Sequence, residues 1–139
     1  MTKKSVLALF VSNAGSLQNG LLALLTTIPQ VTPMLVDEEL STTLGLVEKH
    51  QPALAILDMS IPGVVETIRQ IKELCPQIHL IVLVNNVKGQ KDAVELGADR
   101  VLLKGFPAQK LVDVIEELID QRGSTSPNRT NKKGGTNVN

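Results

Sequence analysis

The stretch Ala53-Leu54-Ala55-Ile56-Leu57-Asp58-Met59-Ser60-Ile61-Pro62-Gly63 decides how this chain folds. Five residues without a polar side chain carry the backbone into an interior, an aspartate stands where the apolar run stops, and Pro62-Gly63 closes a turn. Asp58 is therefore at the mouth of a core and not inside it. In a parallel sheet the carboxyl ends of the strands line the crevice where ligands bind, which would place this acid for chemistry. The other reading is that Asp58 only caps the next helix or tightens the turn. The stretch by itself leaves both open.

Upstream, Val6–Val11 is an apolar run of strand length, ended by Ser12-Asn13-Ala14-Gly15-Ser16, residues suited to a turn or a helix cap. Leu17, Leu21, Leu22, Leu24, Leu25 and Ile28 then recur at helical spacing before Pro29, so a helix is expected over 17–27. A short second strand, 33–36, leads into Asp37-Glu38-Glu39. Negative charge there suits the start of a helix at residue 40 or 41, with Leu40, Leu44 and Val47 facing inward. Downstream of Asp58, a helix is expected from residue 64, with Val65, Ile68, Ile71, Lys72 and Leu74 as its stripe and Pro76 as its stop. Residues 80–84 form the most β-branched strand, and Asn85-Asn86 its exit turn. A short helix over 90–96 ends at Gly97. The run 101–103 is a fifth strand that delivers Lys104 at its carboxyl end. A last helix, from residue 107 or 108 to 121, turns Leu111, Val112, Ile115, Leu118 and Ile119 inward.

Strands that read as unbroken apolar runs are buried on both faces, which calls for a parallel sheet with helices on each side. A three-layer, doubly wound α/β domain over residues 1–121 is the expectation. After Gln121 the chain has no acid and turns to Gly, Ser, Thr, Asn and Lys without an apolar period, so 122–139 reads as a flexible basic tail.

Composition removes several function classes. Residues 1–121 hold 10 bases and 14 acids, a net of −4, and the whole chain has two Phe, no Tyr and no Trp. A mildly acidic body with so few rings lacks both the field and the stacking surface that nucleic-acid binders use. A single cysteine, Cys75, excludes an internal disulfide and is read as packing. His50 and His79 have no partner at metal-ligand spacing. No apolar run is long enough to cross a membrane, and the six apolar residues Val6–Val11 are short for an export signal, so a cytoplasmic protein is expected.

Over roughly residues 4–121 the chain resembles the receiver domain of bacterial response regulators. The resemblance is carried by Leu57-Asp58-Met59-Ser60-Ile61-Pro62-Gly63, similar to the family's acceptor aspartate with a proline four residues on, by Gly97-Ala98-Asp99, by Leu102-Leu103-Lys104, and by the spacing of all five strands. It implies a flavodoxin-like, five-stranded parallel sheet in the order 2-1-3-4-5. It also implies that Asp58 accepts a phosphoryl group from a histidine kinase and that Lys104 contacts the phosphoryl oxygens.

The departures from the family pattern are as informative. Where the family places two acids that hold Mg²⁺ after the first strand, this chain has Ser12 and Asn13. A metal site would be left to Asp58, Asn13 and Ser60 and be weak at best, because Mg²⁺ prefers carboxylates in an octahedral shell. Where the family has a Ser or Thr that touches the phosphoryl group, this chain has Val84; where it has the switching aromatic ring, this chain has Val101. The span 84–97 is about two residues shorter than the common pattern, which points to a trimmed fourth helix.

Two signalling readings follow: an atypical receiver that works as a protein-interaction module, and a working phospho-acceptor that uses Asp58 and Lys104. A third, a small nucleotide- or ligand-binding flavodoxin-like protein, lacks its phosphate loop, since neither G-x-G-x-x-G nor G-x-x-x-x-G-K-[ST] occurs. No nucleophile–base pair stands out, so an enzyme is not expected. The expected partners are a histidine kinase or another signalling protein, and a second copy bound through the fourth helix, fifth strand and fifth helix.

Overall fold

The structure, a computed structural model, describes residues 6–12, 16–36 and 40–123. Five strands alternate with five helices: β1 (Val6–Val11), α1 (Ser16–Leu25), β2 (Val31–Val36), α2 (Leu40–His50), β3 (Leu54–Asp58), α3 (Val64–Leu74), β4 (His79–Val84), α4 (Val87–Glu95), β5 (Arg100–Leu103) and α5 (Ala108–Gly123). The strands form one sheet in the order β2-β1-β3-β4-β5, every neighbouring pair parallel.

Strand periodicity sorts the core into two layers. Leu9, Val11, Ala55, Leu57, Leu80, Val82 and Val84 face one side, where Val47, Ile68, Ile71 and Ala93 of α2, α3 and α4 cover them. The residues between them, Ala8, Phe10, Leu54, Ile56, Ile81 and Leu83, face the other side, against Leu21 and Leu25 of α1 and Leu111, Ile115 and Leu118 of α5. Both faces are thus buried, as the unbroken apolar runs require.

Several boundaries differ from the expectation, each for a local reason. β2 starts at Val31, two residues early, and runs through Pro33. It is the sheet's edge strand, where a residue without an N–H is tolerated. α1 stops at Leu25, where the backbone tightens so that the Thr27 and Ile28 N–H groups reach the Leu24 and Leu25 carbonyls; the Thr26 and Thr27 hydroxyls donate to the carbonyls of Ala23 and Leu24, both at 2.6 Å. α4 begins at Val87, three residues early, since Asn86 is its cap and accepts a hydrogen bond from the Gly89 N–H at 2.8 Å. α5 continues to Gly123, two residues beyond the expected end.

The inward faces also need correction. α3 buries Val64, Thr67, Ile68 and Ile71, while Val65, expected in its stripe, is 39 % exposed. α5 buries Val114 in addition to Leu111, Ile115 and Leu118; Val112 and Ile119 are only partly covered. Cys75 lies one residue past α3, as its C-terminal cap, and is buried as expected for packing. The tail expected from residue 122 falls almost wholly outside the described residues.

At the amino edge of β4, Asp99 from the Gly97-Ala98-Asp99 stretch accepts the Leu80 N–H at 2.7 Å and pairs with Lys72 at 3.5 Å. Arg100 ties β5 to α5 through Glu117 at 2.8 Å. These contacts fix β4 and β5 side by side, so that their carboxyl ends meet β3 at one edge.

Candidate functional site

β3 ends on Asp58, and the loop that follows is tied to its carboxylate. The Ser60 N–H donates to Asp58 Oδ1 at 2.9 Å and the Ser60 hydroxyl donates to the same oxygen at 2.7 Å, an Asx-type turn. The Ile61 N–H reaches the Asp58 carbonyl at 3.2 Å, and the Met59 N–H extends the ladder to the Leu83 carbonyl at 2.9 Å. Gly63, with φ 84°, turns the chain into α3, a conformation that a residue with a Cβ adopts at a cost.

Lys104 arrives from the opposite side. Its N–H donates to the Val84 carbonyl at 2.8 Å, which continues the β4–β5 pairing one residue past the strand, and Gly105 then bends away at φ 99°. With the backbone held on both sides, the Lys104 ammonium sits 2.7 Å from Asp58 Oδ1 and 3.5 Å from the Ser60 hydroxyl. The Asp58 side chain is 2 % exposed and that of Lys104 22 %. All these bonds fall on Oδ1; among the described residues none falls on Oδ2.

Burial by itself pushes the Asp58 carboxyl up, because a charged group loses water there. The Lys104 hydrogen bond, the Ser60 N–H and hydroxyl and the ammonium charge together outweigh it and hold Asp58 below the ordinary carboxylate range. Asp58 is therefore ionised, paired and oriented at neutral pH.

The two residues that sequence spacing singled out most strongly are thus brought together. Ser12 is buried at the end of β1, and Asn13 lies outside the described residues. Val84 is fully buried at the end of β4, beneath α4; a Cβ placed on Gly89 would come within 3.2 Å of it. Val101 pairs with Val82 across β4–β5 and is half-buried against the α2–α4 side of the core. Ser60, expected from the sequence as an oxygen ligand, serves as a double donor to Asp58. The Asp-x-Ser spacing was the available signal, since an aspartate side chain readily accepts the backbone N–H two residues on, where a serine can add its hydroxyl.

Receiver domains typically use Mg²⁺, and the donors present here can be tested against that ion. Among the described residues no three His, Cys, Asp or Glu side chains gather at one place. Asp58, the carboxylate at this site among the described residues, already shares Oδ1 with an ammonium, and Mg²⁺ demands a compact oxygen octahedron, usually with carboxylates. Of the residues expected to hold such an ion, Asp58 and Ser60 stand together, and Asn13 lies outside the described residues.

Comparison with known proteins agrees with the architecture. The family model described as the response regulator receiver domain matches residues 16–116. A CheY-like response regulator receiver domain protein from Methanospirillum hungatei JF-1 is similar at 17 % identity, over 88 % of this chain and 98 % of that one, with a TM-score of 0.75. A LuxR-family two-component response regulator from Aurantimonas sp. SI85-9A1 is similar at 19 % identity, over 89 % and 91 % of the two chains, with a TM-score of 0.76. The isolated REC domain of RcsB from Salmonella enterica serovar Typhimurium, solved in the presence of the phosphomimetic BeF₃⁻, is similar at 20 % identity, over 87 % and 91 %, with a TM-score of 0.74. A sheet in the order 2-1-3-4-5 and a family match spanning α1 to α5 lead to one conclusion: the chain belongs to the response regulator receiver domain family, a signalling domain of two-component systems.

Proposed function

We propose that this receiver domain is an atypical one, a protein-interaction module whose contact face is set without Mg²⁺-dependent phosphorylation of Asp58. The observation that carries this reading is the state of the site: the buried Asp58 carboxylate is paired with the Lys104 ammonium and hydrogen-bonded by Ser60, with Ser12 and Asn13 where the family's acid pair would be. Phosphoryl transfer needs positive charge to offset the moving group, and Lys104, the cation at the site among the described residues, is already paired with Oδ1. Val84 and Val101 support the same reading, because a switch needs two states that a bound group stabilises unequally. Neither side chain can make a polar contact that would create the difference.

The contact face of this reading is formed by α4, β5 and α5. Val87, Val94 and Leu103 lie there 71 %, 58 % and 43 % exposed, apolar side chains that a partner would cover. A histidine kinase, another signalling protein or a second copy of the chain are the partners it suits. On this reading the module acts in the cytoplasm.

The second reading, a working acceptor, draws on Oδ2. That oxygen is not held by any described donor, so it could attack a phosphorus centre while the bond to the donor's leaving group breaks and Lys104 turns to the phosphoryl oxygens. Intact mass after incubation with a small phosphodonor and Mg²⁺, with Asp58→Ala alongside, separates the two. The module reading predicts no added mass under conditions that label an ordinary receiver. One added phosphoryl group in the parent alone would establish the acceptor instead.

A further inference from the structure

Between α1 and the start of α5 the surface folds into a groove of about 530 Å³. Gly20, Ala23, Leu24 and Thr27 line it from the α1 side, and Gly105 and Phe106 from the β5–α5 connection. Of the chain's two aromatic rings, Phe10 is fully buried in β1, whereas Phe106 is only partly covered and lines the groove. Missing side chains open the hollow: a Cβ built on Gly20 meets nothing within 4 Å, and the same holds for Gly105.

Its lining is uncharged, and the chain has no charged residue at all between Lys4 and Asp37. Thr27 already donates its hydroxyl to the Leu24 carbonyl at 2.6 Å and its N–H to the same oxygen at 3.0 Å. The Phe106 N–H is likewise bound, to the Leu103 carbonyl at 3.2 Å. A nucleotide or an acidic peptide would find no lining side chain to offset its charge. Size decides between a small molecule and a protein. The volume falls in the range of small-molecule sites, roughly 300–1,000 Å³, whereas a stable protein interface takes about 20–30 residues a side and eight line this groove.

We propose that the α1–α5 groove binds an uncharged, apolar small molecule, a neutral ring system or short chain. The proposal goes beyond the module reading and holds whether or not Asp58 is phosphorylated. A ligand there lies against Gly105 and Phe106, directly after Lys104, and so bears on the loop that supplies the partner of Asp58.

The test uses N-phenyl-1-naphthylamine, a neutral probe that fluoresces on leaving water; the chain has neither Trp nor Tyr to interfere. The parent is expected to bind it saturably, with ¹H–¹⁵N shifts gathered at residues 20–27 and 105–108. A charged relative, 8-anilinonaphthalene-1-sulfonate, should bind more weakly. Gly20→Leu, at an exposed helical position, fills the groove and should weaken the neutral probe by at least about tenfold. Gly45→Leu makes the same change on α2, across the sheet, where a Cβ also meets nothing, and should bind as the parent does. Should Gly20→Leu fail to fold, Ala23→Leu fills the same groove and carries the same expectation. No saturable binding in the parent, equal affinity in the filled variant, a sulfonate bound as tightly as the neutral probe, or shifts gathered elsewhere overturns the proposal. So does light scattering that shows a dimer in the parent and a monomer in Gly20→Leu, which would give the groove to a second copy.

Discussion

Asp58 contributes to stability only while it is ionised, and the sign of its shift fixes where that contribution disappears. Its carboxyl is held below the ordinary value, so the contribution is complete above the unfolded pKa of about 3.9 and is lost as pH falls through the lower folded value. Urea unfolding at a series of pH values should show the parent losing stability on the acid side more steeply than Asp58→Asn. An equal slope in both chains would mean that the Lys104 and Ser60 contacts do not favour the charged form. At this scale much could be read from the chain alone: an acid where an apolar run stops and a lysine where another stops, placed together once the strands are parallel. The hydroxyl donation from Ser60 was legible only as a spacing, because whether it is made depends on how one hydroxyl rotates. Ser12 was legible as a missing acid, whereas its burial is a property of the assembled sheet.

α4 shows how an element can be set by a single cap. Its first turn, Val87-Lys88-Gly89-Gln90, has a weak apolar pattern, which is why the sequence suggested a later start. The Asn86 side chain supplies what the pattern lacks by accepting the Gly89 N–H. Asn86→Ala should cost about 1 kcal/mol in chemical unfolding and speed amide exchange in the first turn of α4. Two helical glycines make a sharper comparison. Gly20 in α1 has nothing within 4 Å of a built Cβ, so Gly20→Ala should stabilise by about 0.5–1 kcal/mol. Gly89→Ala has the same propensity gain but presses on Val84 at 3.2 Å, a side chain fully buried in β4 with no room to give. Its gain should be cancelled or reversed, and an equal gain at both positions would show that α4 is not seated on β4 as described. Circular dichroism suits these measurements, since the chain offers no Trp or Tyr for fluorescence.

For the whole molecule, the layered architecture was legible because each strand is an unbroken apolar run, and both sheet faces are indeed covered. Helical phase was less so. Val64 and Val65 are adjacent, and only packing on the sheet decides that Val64 goes in and Val65 stays out. A contact face on the fourth helix and fifth strand was expected from the family resemblance, whereas the exposure of Val87, Val94 and Leu103 on it is a feature of the assembled fold. Replacing Val87 and Val94 by Ser should leave the unfolding free energy within about 0.5 kcal/mol of the parent, as expected for side chains that are mostly exposed. A large loss would mean that they support the fold and are not held out for a partner. The central claim, that this face keeps one arrangement whatever happens at Asp58, is tested most directly by the ¹H–¹⁵N spectrum before and after beryllofluoride and Mg²⁺. The account predicts that amide resonances across residues 87–103 stay where they are. A second set of resonances along that span, present in the parent and absent from Asp58→Ala, would contradict it.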